Sequence, residues 1–128
     1  MKLTGIDHIT INLLDVEKSV CFYEKVMGLK KLQDVDMGDH ILHLYQMPGA
    51  KLELIEYKEA QNIIQAGNTD IGVYRHFALR TDDIRELEKK CKEFGCGMNM
   101  EPSYIKQMDI TAMLIKDPNG VEIEIIKE

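Results

Sequence analysis

Gly5-Ile6-Asp7-His8-Ile9-Thr10-Ile11, near the start of the chain, returns in altered form as Val73-Tyr74-Arg75-His76-Phe77-Ala78-Leu79. In both stretches a histidine stands in the middle of a run that reads as a strand. Working outward, each run is followed by a helix-like segment, a glycine, more strand-like segments, and a Pro/Gly turn. That turn opens a final strand with a central glutamate. The first half closes with Pro48-Gly49-Ala50-Lys51-Leu52-Glu53-Leu54-Ile55, the second with Pro118-Asn119-Gly120-Val121-Glu122-Ile123-Glu124-Ile125. His8 and Glu53 are 45 positions apart, and His76 and Glu124 are 48. A duplicated unit with one His and one Glu at matching places can bring two imidazoles and two carboxylates together. Such a set is a divalent-metal site with room for a substrate.

The periodicities define two modules of the same order. Residues 3–12 alternate as a strand. Asp15 caps a helix over 16–27, with Val16, Val20, Tyr23 and Met27 on its apolar side and Gly28 as its stop. Strands follow at about 29–36, 39–47 and 51–57, the last two joined through Pro48-Gly49. A polar linker, 59–72, carries a short helix near 59–66. The second module repeats the order: a strand at 73–80, then a helix capped by Thr81 or Asp82. Its stripe is Ile84, Leu87, Cys91 and Phe94, and Gly95 and Gly97 end it. Strands follow at about 98–104, 108–116 and 120–127. The expected fold class is α+β: one domain, 1–128, built of tandem βαβββ modules at 1–58 and 73–128. Their mixed sheets curl around a concave cleft with the helices outside. Neither half would bury much surface alone.

Strand parity sets which side chains enter the cleft. Ile6, His8, Thr10 and Asn12 share one face, and Ile9, Ile11 and Leu13 the other. Tyr74, His76, Ala78 and Arg80 lie opposite Phe77 and Leu79. Glu53 shares a face with Ile55 and Tyr57, while Glu56 points away. Glu122, Glu124 and Ile126 lie opposite Val121, Ile123 and Ile125. His8, Glu53, His76 and Glu124 are thus four polar residues in awkward central positions. Buried carboxylates need compensation, and a cation supplies it. A single strand histidine is most often structural, and a single strand glutamate, as Glu56 and Glu122 read, most often solvated. The matched pairing in two modules is what turns the balance toward a site. His40 and His43 lie three apart on one strand, face opposite sides, and read as structural or surface residues.

Composition sets the limits. The chain has 128 residues and a net charge of -6, which gives no basic footprint for nucleic acid. No apolar run is long enough for a signal peptide or a bilayer span, so a cytoplasmic location is expected. Cys21, Cys91 and Cys96 show neither metal-type nor redox-type spacing and read as reduced thiols. Cys91 lies on the apolar side of its helix. Cys96 sits at a turn between two glycines, with nothing nearby in sequence to activate it.

These features make the chain resemble the vicinal oxygen chelate superfamily, and most nearly glyoxalase I. The resemblance covers essentially the whole chain. It is carried by Ile6 to Ile11, by Ser19 to Gly28 with Phe22-Tyr23 and Val26-Met27-Gly28-Leu29, by Leu52-Glu53-Leu54, by His76 to Leu79, and by Asp117-Pro118-Asn119-Gly120 running to Ile125. It implies that His8, Glu53, His76 and Glu124 ligate one divalent ion, which for this donor set is Zn, Ni, Co or Mn. An octahedral ion would keep two positions for water or for adjacent substrate oxygens and would act as a Lewis acid. Glu53 or Glu124 would be the catalytic base. The substrate would be a thiohemiacetal of a 2-oxoaldehyde such as methylglyoxal, with glutathione or another thiol as co-substrate.

The family pattern is not matched throughout. Bacterial glyoxalase I has an arginine four residues after its first metal histidine, where this chain has Asn12. Arg80 holds the corresponding place after His76 and is a candidate anchor for an anionic substrate group; a surface ion pair is the plainer reading. The family's asparagine after the second ligand is also missing, and Tyr57 falls near that place. Lys106 matches a lysine that contacts the thiol cofactor, although a loop lysine is usually only solvated charge. Alternatives on the same scaffold are an acyl-thioester epimerase, a ring-cleaving dioxygenase, an antibiotic-modifying transferase and a metal-free binding protein of the bleomycin-resistance type. Dioxygenases and transferases of this kind usually use two His and one Glu, so Glu53 argues against them. The binding proteins lack the ligand set. The resemblance further implies a homodimer, with each site lying within one chain or shared between two subunits.

Overall fold

A computed structural model describes residues 1–59, 62–64 and 66–128. Its elements are β1 (His8–Asn12), α1 (Val16–Cys21), β2 (Lys30–Asp36), β3 (His40–Met47), β4 (Ala50–Tyr57), β5 (His76–Thr81), α2 (Ile84–Phe94), β6 (Gly97–Ile105), β7 (Ile110–Lys116) and β8 (Glu122–Lys127). A π-helical turn, Phe22–Val26, continues α1. The strands form two four-stranded sheets, ordered β1-β4-β3-β2 and β5-β8-β7-β6. In each, the first strand runs parallel to the last and the other pairings are antiparallel. The fold is therefore α+β with tandem βαβββ modules, as the repeat implied. The chain divides into two compact units, residues 1–61 and 62–128.

Local differences from the sequence reading have local causes. The first strand begins at His8, not at residue 3. Its partner β4 starts at Ala50, and Lys51 N–H donates to the Asp7 carbonyl at 2.8 Å, so earlier residues have no edge to join. The first helix does not stay regular to residue 27. At Phe22 it widens by one residue, with Met27 N–H donating to the Phe22 carbonyl at 3.0 Å. Phe22, Tyr23 and Val26 are all buried there. The second helix is capped by Asp83, which accepts from Glu86 N–H at 2.9 Å, while Thr81 Oγ1 accepts from Asp83 N–H. Of the helix expected near 59–66, described residues 62–64 are irregular backbone, and positions 60, 61 and 65 lie outside the described residues.

Burial fixes the register. Ile11, Tyr45, Leu52 and Leu54 are buried in the first unit, and Phe77, Met113, Ile115, Ile123 and Ile125 in the second. In the second unit α2 packs on β6 and β8. A one-residue slip of β4 or β8 would turn these side chains to the opposite face. Each is worth about 1.5–3 kcal/mol of burial, so the slip is strongly disfavoured. The same constraint turns Glu53 and Glu124 away from the helices.

His43 belongs to the helix-side interior of the first unit and confirms the structural reading of that residue. It is 7% exposed and bridges two carboxylates, Nδ1 to Asp34 at 2.8 Å and Nε2 to Glu56 at 2.9 Å. His40 instead bonds Asp39 and lies against the Tyr57 ring.

The turn before β8 is built by its aspartate. Asp117 is buried, and its Oδ1 accepts from Asn119 N–H and Val121 N–H, both at 2.8 Å. Gly120 completes the turn at φ 83°, a conformation that other residues reach only with strain. Asp117→Ala would strand those two donors. It is expected to lower stability by about 1–3 kcal/mol, read as a shift in the urea midpoint with unchanged slope.

Candidate metal centre

Each unit assembles one His–Glu pair by the same step in register. In the first unit His8 lies opposite Lys51 and Thr10 opposite Glu53. In the second, His76 lies opposite Glu122 and Ala78 opposite Glu124. The glutamate is thus two residues beyond the histidine's partner in both parallel pairings, on the same face as the imidazole. His8 Nε2 stands 3.4 Å from Glu53 Oε2, and His76 Nε2 stands 3.1 Å from Glu124 Oε2. The structure therefore brings together His8 with Glu53, and His76 with Glu124.

The other ring nitrogen is anchored in both modules. His8 Nδ1 bonds Asp7 Oδ1 at 2.8 Å, and His76 Nδ1 bonds Glu122 Oε1 at 3.0 Å. An Nδ1–H held by a carboxylate leaves Nε2 as the nitrogen able to offer a lone pair. The hydrogen bond with Asp7, assisted by the Glu53 charge, raises the His8 pKa above its ordinary value. The same bond holds Asp7 below the usual carboxylate range. Burial opposes ionisation of Glu122, but hydrogen bonds from Asn99 and His76 outweigh it and lower its pKa. Asn99 Nδ2 donates to Glu122 Oε2 at 2.6 Å, and an Arg75 guanidinium nitrogen stands 3.5 Å from Oε1.

The two modules also differ beside the glutamate. Thr10 Oγ1 donates to Glu53 Oε2 at 3.1 Å, whereas Ala78 offers Glu124 no hydroxyl. Sequence reasoning overlooked Asp7, Thr10 and Asn99 as partners of the candidate ligands and left Glu122 as a solvated residue. The signal for Glu122 was its parity: it shares the Glu124 face. For Asp7 the available signal was its adjacency to His8, and nothing local in sequence pointed to Asn99.

The donors suit a divalent ion in kind and spacing. Two ligands at about 2.1 Å and at right angles about one ion stand about 3 Å apart, close to the separations in both pairs. Each unit, taken by itself, places one nitrogen and one oxygen donor at that spacing. Among the described residues, no His, Cys, Asp and Glu side chains gather in threes in an arrangement that would hold a metal ion.

Of the candidate substrate contacts, Arg80 lies on β5 opposite Ile126, exposed and on the His76 side of the strand. Asn12 ends β1, exposed, opposite Ile55. Lys106 lies in the exposed turn between β6 and β7. A cleft of about 510 Å³ in the second unit is lined by Tyr74, Arg75, Asn99, Lys116 and Glu122, among others, but not by His76 or Glu124. No helix among the described residues is long and apolar enough to cross a membrane.

The chain resembles known proteins in sequence and in fold. The family model of the Glyoxalase/Bleomycin resistance protein/Dioxygenase superfamily matches residues 5–125. A lactoylglutathione lyase from Escherichia coli O157:H7 is 26% identical over 126 residues, covering 94% of this chain and 90% of that protein. A probable lactoylglutathione lyase from Vibrio cholerae is 29% identical over 126 residues, with 94% and 88% covered. Among solved structures, a glyoxalase family protein from Enterococcus faecalis superposes with a TM-score of 0.79 at 18% identity, over 98% of this chain and 99% of that one. A glyoxalase I variant from Zea mays gives 0.79 at 22% identity, over 95% of this chain and 44% of the longer maize protein. At these identities the structural matches speak for the fold.

Proposed function

The chain belongs to the Glyoxalase/Bleomycin resistance protein/Dioxygenase superfamily, and from that premise we propose a divalent-metal-dependent, glyoxalase I-like lyase/isomerase that acts on the thiohemiacetal of a small 2-oxoaldehyde such as methylglyoxal. The observation that carries this reading is the recurrence of one His–Glu pair at the same register step in both units. The lactoylglutathione lyase relatives favour this chemistry over others of the superfamily.

In this reading His8, Glu53, His76 and Glu124 hold the ion, with the two pairs meeting within one chain or across a homodimer. The bound ion would supply Lewis acidity toward two adjacent substrate oxygens. Asp7 and Glu122 fix the imidazoles so that Nε2 faces the site. A glutamate carboxylate takes the proton from the substrate carbon bearing the hydroxyl and returns it to the neighbouring carbon. Glu53 is tethered by Thr10, whereas Glu124 faces Ala78, so Glu124 has more freedom to swing toward substrate. Arg80, on the His76 side of β5, anchors an anionic end of the thiol. Arg80→Ala is then expected to raise KM roughly tenfold, about 1.4 kcal/mol, with little change in kcat. An unaltered KM would remove Arg80 from the site.

The reading is tested by metal analysis of the purified protein and a methylglyoxal assay with glutathione and other thiols, before and after chelation. Turnover that disappears on chelation and returns with Ni, Co, Mn or Zn is the expected result. Bound metal without turnover for any thiol would move the chain to another metal enzyme of the superfamily. Absence of metal affinity would move it to the binding proteins.

A further inference from the structure

The end of α2 carries a second chemistry, independent of the metal reading. Gly95 adopts a left-handed φ of 86° and closes the helix. Cys96 N–H then donates to the Cys91 carbonyl at 2.9 Å, and Gly95 N–H to the Lys92 carbonyl at 3.2 Å. This paired closure folds the residue after the glycine back over the last turn. It sets that side chain beside the one five positions earlier, where an apolar contact is usual. In this chain both positions are cysteines. Their thiols lie close enough to shift each other's ionisation. Cys91 is wholly buried and Cys96 partly exposed, so an oxidant in solution reaches only one of the two.

We propose that Cys91 and Cys96 are a redox-active dithiol that a hydroperoxide closes to a disulfide, with Cys96 oxidised first. The spacing of the pair does not match a familiar redox motif; the helix closure is what makes them neighbours. The contact with Cys91 lowers the Cys96 pKa, against the opposing effects of burial and of the Asp117 carboxylate. The same contact, with burial, pushes the Cys91 thiol up, so Cys96 is the more readily ionised of the two. With hydrogen peroxide, the Cys96 thiolate attacks one peroxide oxygen, the O–O bond breaks, and hydroxide leaves. Cys96 is then a sulfenic acid. Cys91 sulfur attacks Cys96 sulfur, the S–O bond breaks, hydroxide leaves, and the Cys91 proton passes to it. In sum two thiols lose two electrons and two protons, and one peroxide becomes two waters.

The test uses the intact reduced protein, stoichiometric hydrogen peroxide and thiol titration after unfolding. The chain has 3 cysteines, and titration is expected to fall from three free thiols to one, with Cys21 still open to alkylation. The intact mass should drop by two hydrogens and recover with dithiothreitol. Trypsin cuts after Lys92, so closure is read directly as a linked pair of peptides, Cys91–Lys92 and Glu93–Lys106. In Cys91→Ser, peroxide should leave a Cys96 sulfenic acid that dimedone traps; in Cys96→Ser, Cys91 should stay reduced. Three free thiols after peroxide would overturn the proposal. So would oxidation at Cys21 first, or Cys96 sulfinic acid without linkage to Cys91. The wild-type peptide map decides the matter even if a serine variant folds poorly.

Discussion

Glu124→Gln is expected to reduce metal-dependent isomerisation by roughly 10²–10⁴-fold, the usual contribution of a positioned general base. Glutamine keeps the shape of the side chain and an oxygen toward the site, but it cannot accept the substrate proton. Glu53→Gln is expected to abolish turnover as well, because it removes one of the two charged oxygen donors and replaces the carboxylate that Thr10 and His8 hold. The routes can be separated. A variant that binds metal normally, by competition with a chromophoric chelator, yet does not turn over has lost proton transfer. One that loses metal in proportion to activity has lost a ligand. Full activity in either variant would take that residue out of the mechanism. The contrast between Thr10 and Ala78 leads us to expect the proton-transfer signature at Glu124 and the ligand signature at Glu53.

The duplication was legible because two signals agreed in each half. The alternation of Ile9 and Ile11 with His8 and Thr10 set the face of β1, and the burial of Ile11 bears it out. The Pro/Gly turns located β4 and β8, so the parity of Glu53 and Glu124 followed. The rest depended on partners distant in sequence. Glu56 and Glu122 both looked like solvated strand carboxylates. Their roles come from His43 and His76, which lie on other strands. Asn99 is 23 residues from Glu122 and meets it only because β6 folds back alongside β7. Cys91 and Cys96 were read by spacing, which carries no information about a left-handed residue between them. The early start of the first predicted strand has the same origin: residues 3–7 have strand-like composition, but a strand needs a neighbouring edge, and β4 does not extend that far.

Glu122→Ala should weaken metal binding roughly 10–100-fold without removing a ligand, the usual consequence of deleting the carboxylate behind a metal-bound imidazole. The two histidines are supported very differently. The Glu122 side chain is 12% exposed and held by Asn99 as well as by His76, whereas the Asp7 side chain is 78% exposed. Water can replace Asp7 at His8 Nδ1 with little loss, so Asp7→Ala is expected to change affinity only a few-fold. Water replaces Glu122 poorly, because the Asn99 amide and the Arg75 guanidinium would then face a gap instead of a charge. Glu122→Gln keeps an acceptor for Nδ1–H, and the Asn99 amide can turn over to meet the new N–H, so this variant should fall between wild type and alanine. Chelator competition gives the affinity, and imidazole 15N shifts of the metal-free protein report whether Nδ1 still carries the proton. Equal affinities for wild type and Glu122→Ala would show that the pairing in β8 does not orient His76. A lost Nδ1–H in the metal-free variant, together with weakened binding, would tie the two effects to one hydrogen bond.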